Sequence, residues 1–379
     1  MKANRCRLLF NAEDYDLIET VDKLLLRDKR QQQFRELFDP YLHPRGIKEM
    51  GAPRSLRIAY AMIDLLESLE KESSEERVRA LRVVHDELMR DTTFNLRYNA
   101  ARVMLQIMKE FVRAHGDEKR QLLLAQDFRN AASGNPRLLR GQISKYGLIE
   151  MPEAWNQLAF DDHVHDANTK GRKSPTHLIM DAWIKGIRYL CVIYYNYISP
   201  EAATELLQAA EIMGMKLRIG VQLSSSFRDK YVHLVWIPRG FNHHKDFLTF
   251  LDEPAVRRFM EEGRAVSEHR SRWVLSLLHS FNRIHLASIN DAYGLSVPPL
   301  EEREFLAFVG KAQPSLVHLA EFIHAVFLPP MSRRVAALSE AYRNADGGER
   351  EKIRAAVASM NSFIPEEIVD RYLRPRANP

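Results

Sequence analysis

Residues 160–238 carry the most regular series of start and stop signals in the chain. Ser174 and Ser199, each followed by proline, precede apolar helical patterns, and Gly186 and Gly214 follow those patterns. Serine at the N-cap, proline at the first helical position and glycine after the last turn are typical helix boundaries. The stretch therefore predicts two well-delimited helices, and any fold for this chain has to accommodate them.

Four β-rich runs alternate with these helices or follow them. They predict strands at 157–165, 189–194, 216–224 and 231–236. The order is that of a βαβαβ unit with one more strand after it. In such units the ligand lies beyond the carboxyl ends of the strands.

Two histidines, His163 and His165, end the first predicted strand within the run DDHVHD. Residues i and i+2 of a strand point the same way, so both imidazoles are predicted to face one site. Two imidazoles among carboxylates are typical of the beginning of a metal site. The alternative is a pair of surface histidines at a strand end.

The runs HVHDANTKGRKSPTHL, VIYYN, IGVQLS and YVHLVW follow one another between residues 163 and 236. In this order they resemble the polymerase-and-histidinol-phosphatase (PHP) family of metal-dependent phosphoesterases. The resemblance implies an α/β fold, a partial or interrupted TIM-like PHP-type βα barrel. It also implies that His163, His165 and His233 match three histidine ligands of the family.

Acidic ligands of the family pattern are missing at three matched positions. Lys170 occupies the position of the acidic ligand in the glycine-containing loop, and Gln222 occupies that of the bridging glutamate. The family's Asp-His pair matches Tyr194-Tyr195 or Tyr195-Asn196. Lys170 repels a cation, and Gln222 offers a carbonyl oxygen without charge, so multi-metal chemistry is not expected. One zinc or manganese ion on the three histidines and Gln222, with Asp166 accepting a proton, stays open as an alternative.

A basic loop directly precedes the first helix of the unit. Lys170, Arg172 and Lys173 lie just before the Ser174 N-cap. Backbone N–H groups and the helix dipole favour anions at a helix N-terminus. The loop is therefore a candidate phosphate site, and its alternative is a solvated basic surface.

The 379 residues are long enough for two or three domains. We predict a helical domain at 1–150, the PHP-like unit at 151–240 and a helical region at 241–379. The last region is either an insertion in the barrel or an extension of it. Within it, Pro329-Pro330 is expected to break a helix.

The composition narrows the possible partners and cellular location of the protein, but it does not select a single one. The net charge of +5 is compatible with nucleic acid or phosphorylated ligands. Two cysteines fit a reducing cytoplasm, and no stretch is apolar enough to cross a membrane. The helical regions offer surfaces for protein partners. Four cations cluster near one predicted turn of the first region, namely Arg129, Arg137, Arg140 and Lys145.

Three functions follow as hypotheses. The first is a degenerate PHP-like domain that binds a phosphorylated ligand or a single metal ion and acts in recognition or scaffolding. The second is an active metal-dependent hydrolase of phosphoesterase or amidohydrolase type, with a mononuclear three-histidine site. The third is a nucleic-acid-associated helical protein in which the strand unit only supplies a core.

Overall fold

The computed structural model describes residues 10–25, 54–71, 73–89, 96–151, 159–228, 230–241, 243–310 and 312–374. These residues form two compact units. The first contains the chain up to 253 except 168–170 and 195–197, and the second contains those two short segments and the chain from 254 onward. The domain boundaries at 150 and 240 stay predictions, because one compact unit can hold more than one folding domain.

The described part of the N-terminal region is helical, as the sequence predicts. Its helices are α1 Ala12–Leu25, α2 Arg54–Lys71, α3 Ser74–Met89, α4 Arg97–Arg113, α5 Glu118–Ala132 and α6 Pro136–Lys145. The start of α3 is a reciprocal capping box. Ser73 Oγ accepts a hydrogen bond from the Glu76 N–H, and the Glu76 carboxylate accepts one from the Ser73 N–H.

The strand unit follows. Its elements are β1 Ala159–Val164, α7 Pro175–Ile184, β2 Ile187–Tyr195, α8 Pro200–Ile212, β3 Lys216–Phe227, β4 Lys230–Trp236 and α9 His244–Asp252. Both serine N-caps are confirmed: Ser174 and Ser199 accept hydrogen bonds from backbone N–H groups of α7 and α8. All four predicted strands are present, although residues 157 and 158 of the first lie outside the described residues.

The four strands form one mixed sheet in the order β1-β2-β3-β4. β1 and β2 pair in parallel, whereas β3 and β4 form an antiparallel hairpin. Within the ranges that the structure describes, no further strand extends this sheet into a closed barrel. The molecule is thus mainly helical, with one small sheet.

Alternating residues of β2 define the two faces of the sheet. Leu190, Val192 and Tyr194 are at most 2% exposed. On the same side, the Arg188 guanidinium lies 5.5 Å from the ring centre of Trp183 in α7. We call this the helix face. The opposite side carries Tyr189, Cys191 and Ile193, and we call it the second face. Cys191 and Ile193 are buried there, at 1% and 0% exposure.

The longer segment of the second unit is mainly helical in its described residues. It contains α10 Pro254–Ile284, α11 Leu286–Tyr293, α12 Glu302–Val309, α13 Leu316–Asn344, α14 Gly347–Asn361, α15 Pro365–Ile368 and a π-helical turn Val369–Leu373. Aromatic side chains fill its core: the rings of Phe281, Phe327, Phe363 and Tyr372 contact one another at centroid distances of 5.2–6.4 Å. The predicted helical C-terminal region is confirmed for the described residues.

The predicted break at Pro329-Pro330 is wrong, because α13 continues through both prolines. Two prolines remove two backbone donors from the helix, which is costly. Buried side chains lie on both sides of them, with Phe327 at 0% and Met331 at 5% exposure. Burial of this apolar face compensates for the lost hydrogen bonds. The expectation that proline breaks a helix does not take the free energy of that burial into account.

No helix in the described residues combines the length and the apolar composition that crossing a membrane requires.

A buried ion pair joins the N-terminal helices to the strand unit. Arg77 of α3 donates from Nε and Nη2 to the Glu205 carboxylate of α8 at 2.8 and 2.6 Å. Glu205 Oε1 also accepts from the Thr176 hydroxyl at 2.8 Å and from the Thr176 N–H at 3.2 Å. Both charged residues are 4% exposed. The pair is therefore desolvated, and its carboxylate is hydrogen-bonded from three groups.

We expect Glu205→Ala to lower the free energy of unfolding by about 3–5 kcal/mol, since it leaves the Arg77 charge buried and uncompensated. Urea denaturation monitored by circular dichroism measures the change. Glu150→Ala is the matched control, because it removes the carboxylate of the more exposed pair Arg140–Glu150 and should cost at most about 1 kcal/mol. Equal losses in the two variants would contradict the assignment of Glu205 as a buried connector.

Candidate histidine and phosphate site

A bulge in β1 lies beside the two histidines. Asp161 pairs with Leu190 and Val164 with Val192, so three residue steps on β1 face two on β2. β-Bulges change the direction in which side chains point, and they are common at sheet edges and next to functional sites. The rings of His163 and His165 meet edge to face here, with centroids 5.0 Å apart and planes at 72°. The structure therefore brings these two predicted ligands together.

One imidazole is fixed and the other is exposed. His165 Nδ1 lies 2.7 Å from the Ile193 carbonyl oxygen of β2. A carbonyl only accepts, so Nδ1 carries the proton, and Nε2 is the acceptor nitrogen of the neutral ring. His163 is exposed, and its backbone N–H donates to Asp161 Oδ1 at 3.2 Å. The fixed ring gives the pair a defined orientation.

The segment after His165 folds back on itself. The Gly171 N–H donates to the Asp166 carbonyl, and the Ala167 N–H donates to the Lys173 carbonyl, both at 2.8 Å. A Cβ at Gly171 would lie 2.3 Å from the His165 carbonyl oxygen. Only glycine permits this approach. Arg172, the next residue along the chain, is thereby held close to the end of β1.

Asp166 is placed inside the protein rather than at the surface. It is fully buried, and its Oδ2 accepts a hydrogen bond from the Tyr194 hydroxyl at 2.5 Å. Burial, together with the adjacent Asp166 carboxylate, raises the pKa of Tyr194 well above its usual range. This geometry favours a structural part for Asp166 in anchoring the loop to β2, and its predicted part as a proton acceptor stays a prediction.

The three cations of the predicted phosphate loop lie in different surroundings. Lys173 forms an ion pair with the buried Asp181 of α7, which also binds Lys109. Lys170 belongs to the second unit, where its Nζ lies 5.7 Å from the ring centre of Tyr195. Arg172 belongs to the first unit and is exposed. Of the three, Arg172 is the cation that the first unit presents to solvent near the histidines.

Asp181 also lies beside the ring of a histidine, His177. Burial would raise the pKa of Asp181, but hydrogen bonds from Lys109 and Lys173 outweigh it and lower that pKa. The ring of His177 lies 3.6 Å from the same carboxylate. Burial nevertheless lowers the pKa of His177 to about 4. The cluster therefore holds an ionised carboxylate beside a neutral imidazole at neutral pH.

The remaining predicted metal ligands lie farther along the sheet. Gln222 is half-buried on β3. His233 is exposed on the edge strand β4, where its Nδ1 lies 3.1 Å from the Ser224 hydroxyl. Three strand spacings of about 4.8 Å separate β1 from β4 in the sheet order. In the part of the chain that the structure describes, no three His, Cys, Asp or Glu side chains gather to hold a metal ion.

Three of the four cations near the helical turn are already engaged. Arg129 donates to Asp14 at 3.0 and 3.1 Å, Arg140 pairs with Glu150, and Lys145 pairs with Asp127 at 2.5 Å. These contacts leave little uncompensated positive charge on that helical surface. They were not predicted, because the carboxylate partners are not local in sequence.

The sequence also did not predict several other groups that support the site. The Ile193 carbonyl, the Tyr194 hydroxyl and the Asp181 carboxylate carry no local signal of their role. Gly171 within the basic run KGRKSP was a usable signal, since a lone glycine often marks a close approach of two backbone segments.

Comparison with known proteins gives one partial similarity. The chain is 26% identical to a 5′-3′ exoribonuclease of Haemophilus influenzae over 112 residues, which are 30% of this chain and 36% of that protein. The chain thus matches only about a third of the length of that relative. No protein-family model matches the chain, and no solved structure matches it.

Gly171→Ala should displace the loop, because the new Cβ meets backbone atoms that cannot rotate away. We expect a loss of about 1–3 kcal/mol in the free energy of unfolding and a shift of the His165 ring resonances in NMR spectra. Gly141→Ala is the control: nothing lies within 4 Å of its Cβ, and in a helix it should add about 0.5–1 kcal/mol. An unperturbed His165 in Gly171→Ala would contradict the described loop closure.

The lowered pKa of His177 predicts a loss of stability in acid. Between the ordinary histidine pKa of 6.5 and about 4, the unfolded chain binds a proton that the folded chain does not. The free energy of unfolding should therefore fall with decreasing pH through this window, by at most about 1.4 kcal/mol per pH unit. Urea denaturation at several pH values should give a shallower slope for His177→Gln. The exposed His233→Gln is the control, and identical slopes for wild type and His177→Gln would refute the assignment.

Proposed function

We propose that the strand unit recognises the phosphorylated 5′ end of single-stranded RNA, and that it binds this end without cleaving it. The observation that carries the proposal is the His163–His165 pair, oriented by the Ile193 carbonyl and closed in by the loop that presents Arg172. The Arg172 guanidinium can bind phosphate through charge-assisted hydrogen bonds, which are roughly twice as strong as neutral ones, and the N–H of the exposed His163 ring can donate a further hydrogen bond.

The described ligands do not fit a resident metal ion. Two imidazoles are adjacent, but His233 lies on the opposite edge strand, and no group of three ligands is found among the described residues. Catalytic zinc sites use three protein ligands and one open position. Recognition therefore fits this geometry better than hydrolysis, and it agrees with the acidic ligands that Lys170 and Gln222 replace in the resemblance to the PHP family.

RNA as ligand is suggested by the partial similarity to an exoribonuclease. An enzyme that degrades RNA from the 5′ end has to accommodate that end, and a related unit could keep the binding function alone. In this proposal the four-stranded sheet corresponds to part of a TIM-like PHP-type barrel. The protein acts in the cytoplasm, where the buried thiol Cys191 stays reduced.

The test compares 5′-phosphorylated with 5′-hydroxyl RNA of one sequence, labelled at the 3′ end, by fluorescence anisotropy. We expect about tenfold tighter binding of the phosphorylated RNA, equivalent to about 1.4 kcal/mol. His163→Ala and Arg172→Ala should remove most of this preference. Lys185→Ala, which removes an exposed charge at the end of α7, should retain it. Equal affinity of the wild-type protein for both RNAs refutes the proposal.

The active hydrolase is the alternative, since two adjacent histidines could still begin a metal site. Metal ligation requires neutral imidazoles, whereas phosphate binding is favoured by protonated ones. About one metal ion per chain, lost in His163→Ala with His165→Ala and accompanied by hydrolysis of phosphate esters, would favour the hydrolase.

A further inference from the structure

An unusual arginine lies on the second face of the sheet. The Arg218 guanidinium of β3 is 5.0 Å from the ring centre of Tyr189 on β2. Among the residues that the structure describes, Arg218 has no ion pair and no hydrogen bond. The Tyr189 hydroxyl is screened from solvent and also lacks a hydrogen-bond partner there. An unsatisfied buried hydroxyl is costly, and a ligand oxygen would satisfy it.

A second arginine lies beside the first. A Cβ built at Gly220 on β3 would lie 2.8 Å from Ile237 and 2.9 Å from Ile193, so these apolar side chains pack directly over the glycine. Arg239 follows Ile237 by two residues and is exposed. Arg218 and Arg239 both act electrostatically on Tyr189 and on Cys191. Arg218 thus lies on the second face, and Arg239 lies two residues beyond Ile237, which packs on that face.

Carboxylates are present but do not neutralise these cations by contact. Asp161 and Asp162 of β1 also act on Cys191. Neither forms an ion pair with Arg218 or Arg239 within the described ranges. Asp161 instead accepts the backbone N–H of His163. As far as the structure describes the chain, Arg218 on β3 and the exposed Arg239, which follows the end of β4, thus have no ion pair with these carboxylates.

We propose that Arg218 and Arg239 bind backbone phosphates of a single-stranded RNA that passes these two side chains. The inference rests on the proposed function in taking RNA as the ligand, and it assigns the contacts downstream of the 5′ end. Arginine is suited to this task because its planar fork binds a phosphate through two parallel hydrogen bonds. The Arg218 side chain, preordered on the Tyr189 ring, loses little conformational freedom when it binds.

The experiment measures the affinity for single-stranded RNA at several salt concentrations with the full chain. Each phosphate contact contributes about 0.7 to the slope of log K against log salt for single strands. Arg218→Ala and Arg239→Ala should each lower that slope by about this amount. Each should weaken binding about threefold to tenfold for phosphorylated and hydroxyl RNA alike.

Controls separate this effect from misfolding and from general charge. Arg79→Ala removes an exposed cation of α3, a helix that contacts other helices rather than the sheet, and should leave the slope unchanged. Arg218→Lys should keep the slope while losing affinity, because the charge stays and the fork is lost. Asp162→Asn should tighten binding about twofold, since it removes a repelling charge. Thermal denaturation confirms that each variant is folded.

The outcomes distinguish the two proposals. A preference for the 5′ phosphate together with unchanged slopes in Arg218→Ala and Arg239→Ala overturns the inference and leaves the proposed function standing. Lower slopes without any preference for the 5′ phosphate support the two arginine contacts and overturn the proposed function. No binding of either RNA by the wild-type protein at low salt overturns both.

Discussion

The candidate site depends on one close backbone approach, that of Gly171 to His165 and Asp166. Because glycine has no Cβ, the loop can return directly onto the end of β1. The return is held by two backbone hydrogen bonds and by the buried contact between Asp166 and Tyr194. The Asp166–Tyr194 contact ties the start of the loop to β2, while Arg172 stays exposed. Without that approach, the histidines and the arginine would be neighbours in sequence only.

Electrostatic competition decides which charges of the loop remain available. Asp181 is buried and already holds Lys109 and Lys173. A buried carboxylate cannot readily give up its cations, since an unpaired buried charge costs several kcal/mol. Lys173 therefore serves the packing of α7, and only part of the positive charge of the loop can act on a ligand. A count of basic residues in the sequence overstates the binding capacity for this reason.

Local signals predicted the elements well and the contacts between them poorly. The Ser174 and Ser199 caps, the four strands and the Ser73 capping box all follow from short-range chemistry. The His163–His165 proximity followed from strand periodicity. The ion pairs of Arg129 and Lys173 depend on partners brought near by folding, and the continuity of α13 through its prolines depends on core burial. Interactions that form only in the folded protein, worth a few kcal/mol, can therefore outweigh the local preferences of the sequence.

Replacement of acidic ligands changes what the site can bind on its own. Carboxylates around a phosphate repel it unless metal ions lie between them, so a carboxylate-rich pocket requires metals to bind its substrate. Lys170 and Gln222, at the positions matched in the resemblance to the PHP family, carry no negative charge, so part of that repulsion is absent, although Asp161 and Asp162 remain beside His163. Imidazole and guanidinium groups can then contact the phosphate directly. In the proposed function, the lack of these two acidic ligands would also leave no metal ion to activate a water molecule, so binding and cleavage would be separable.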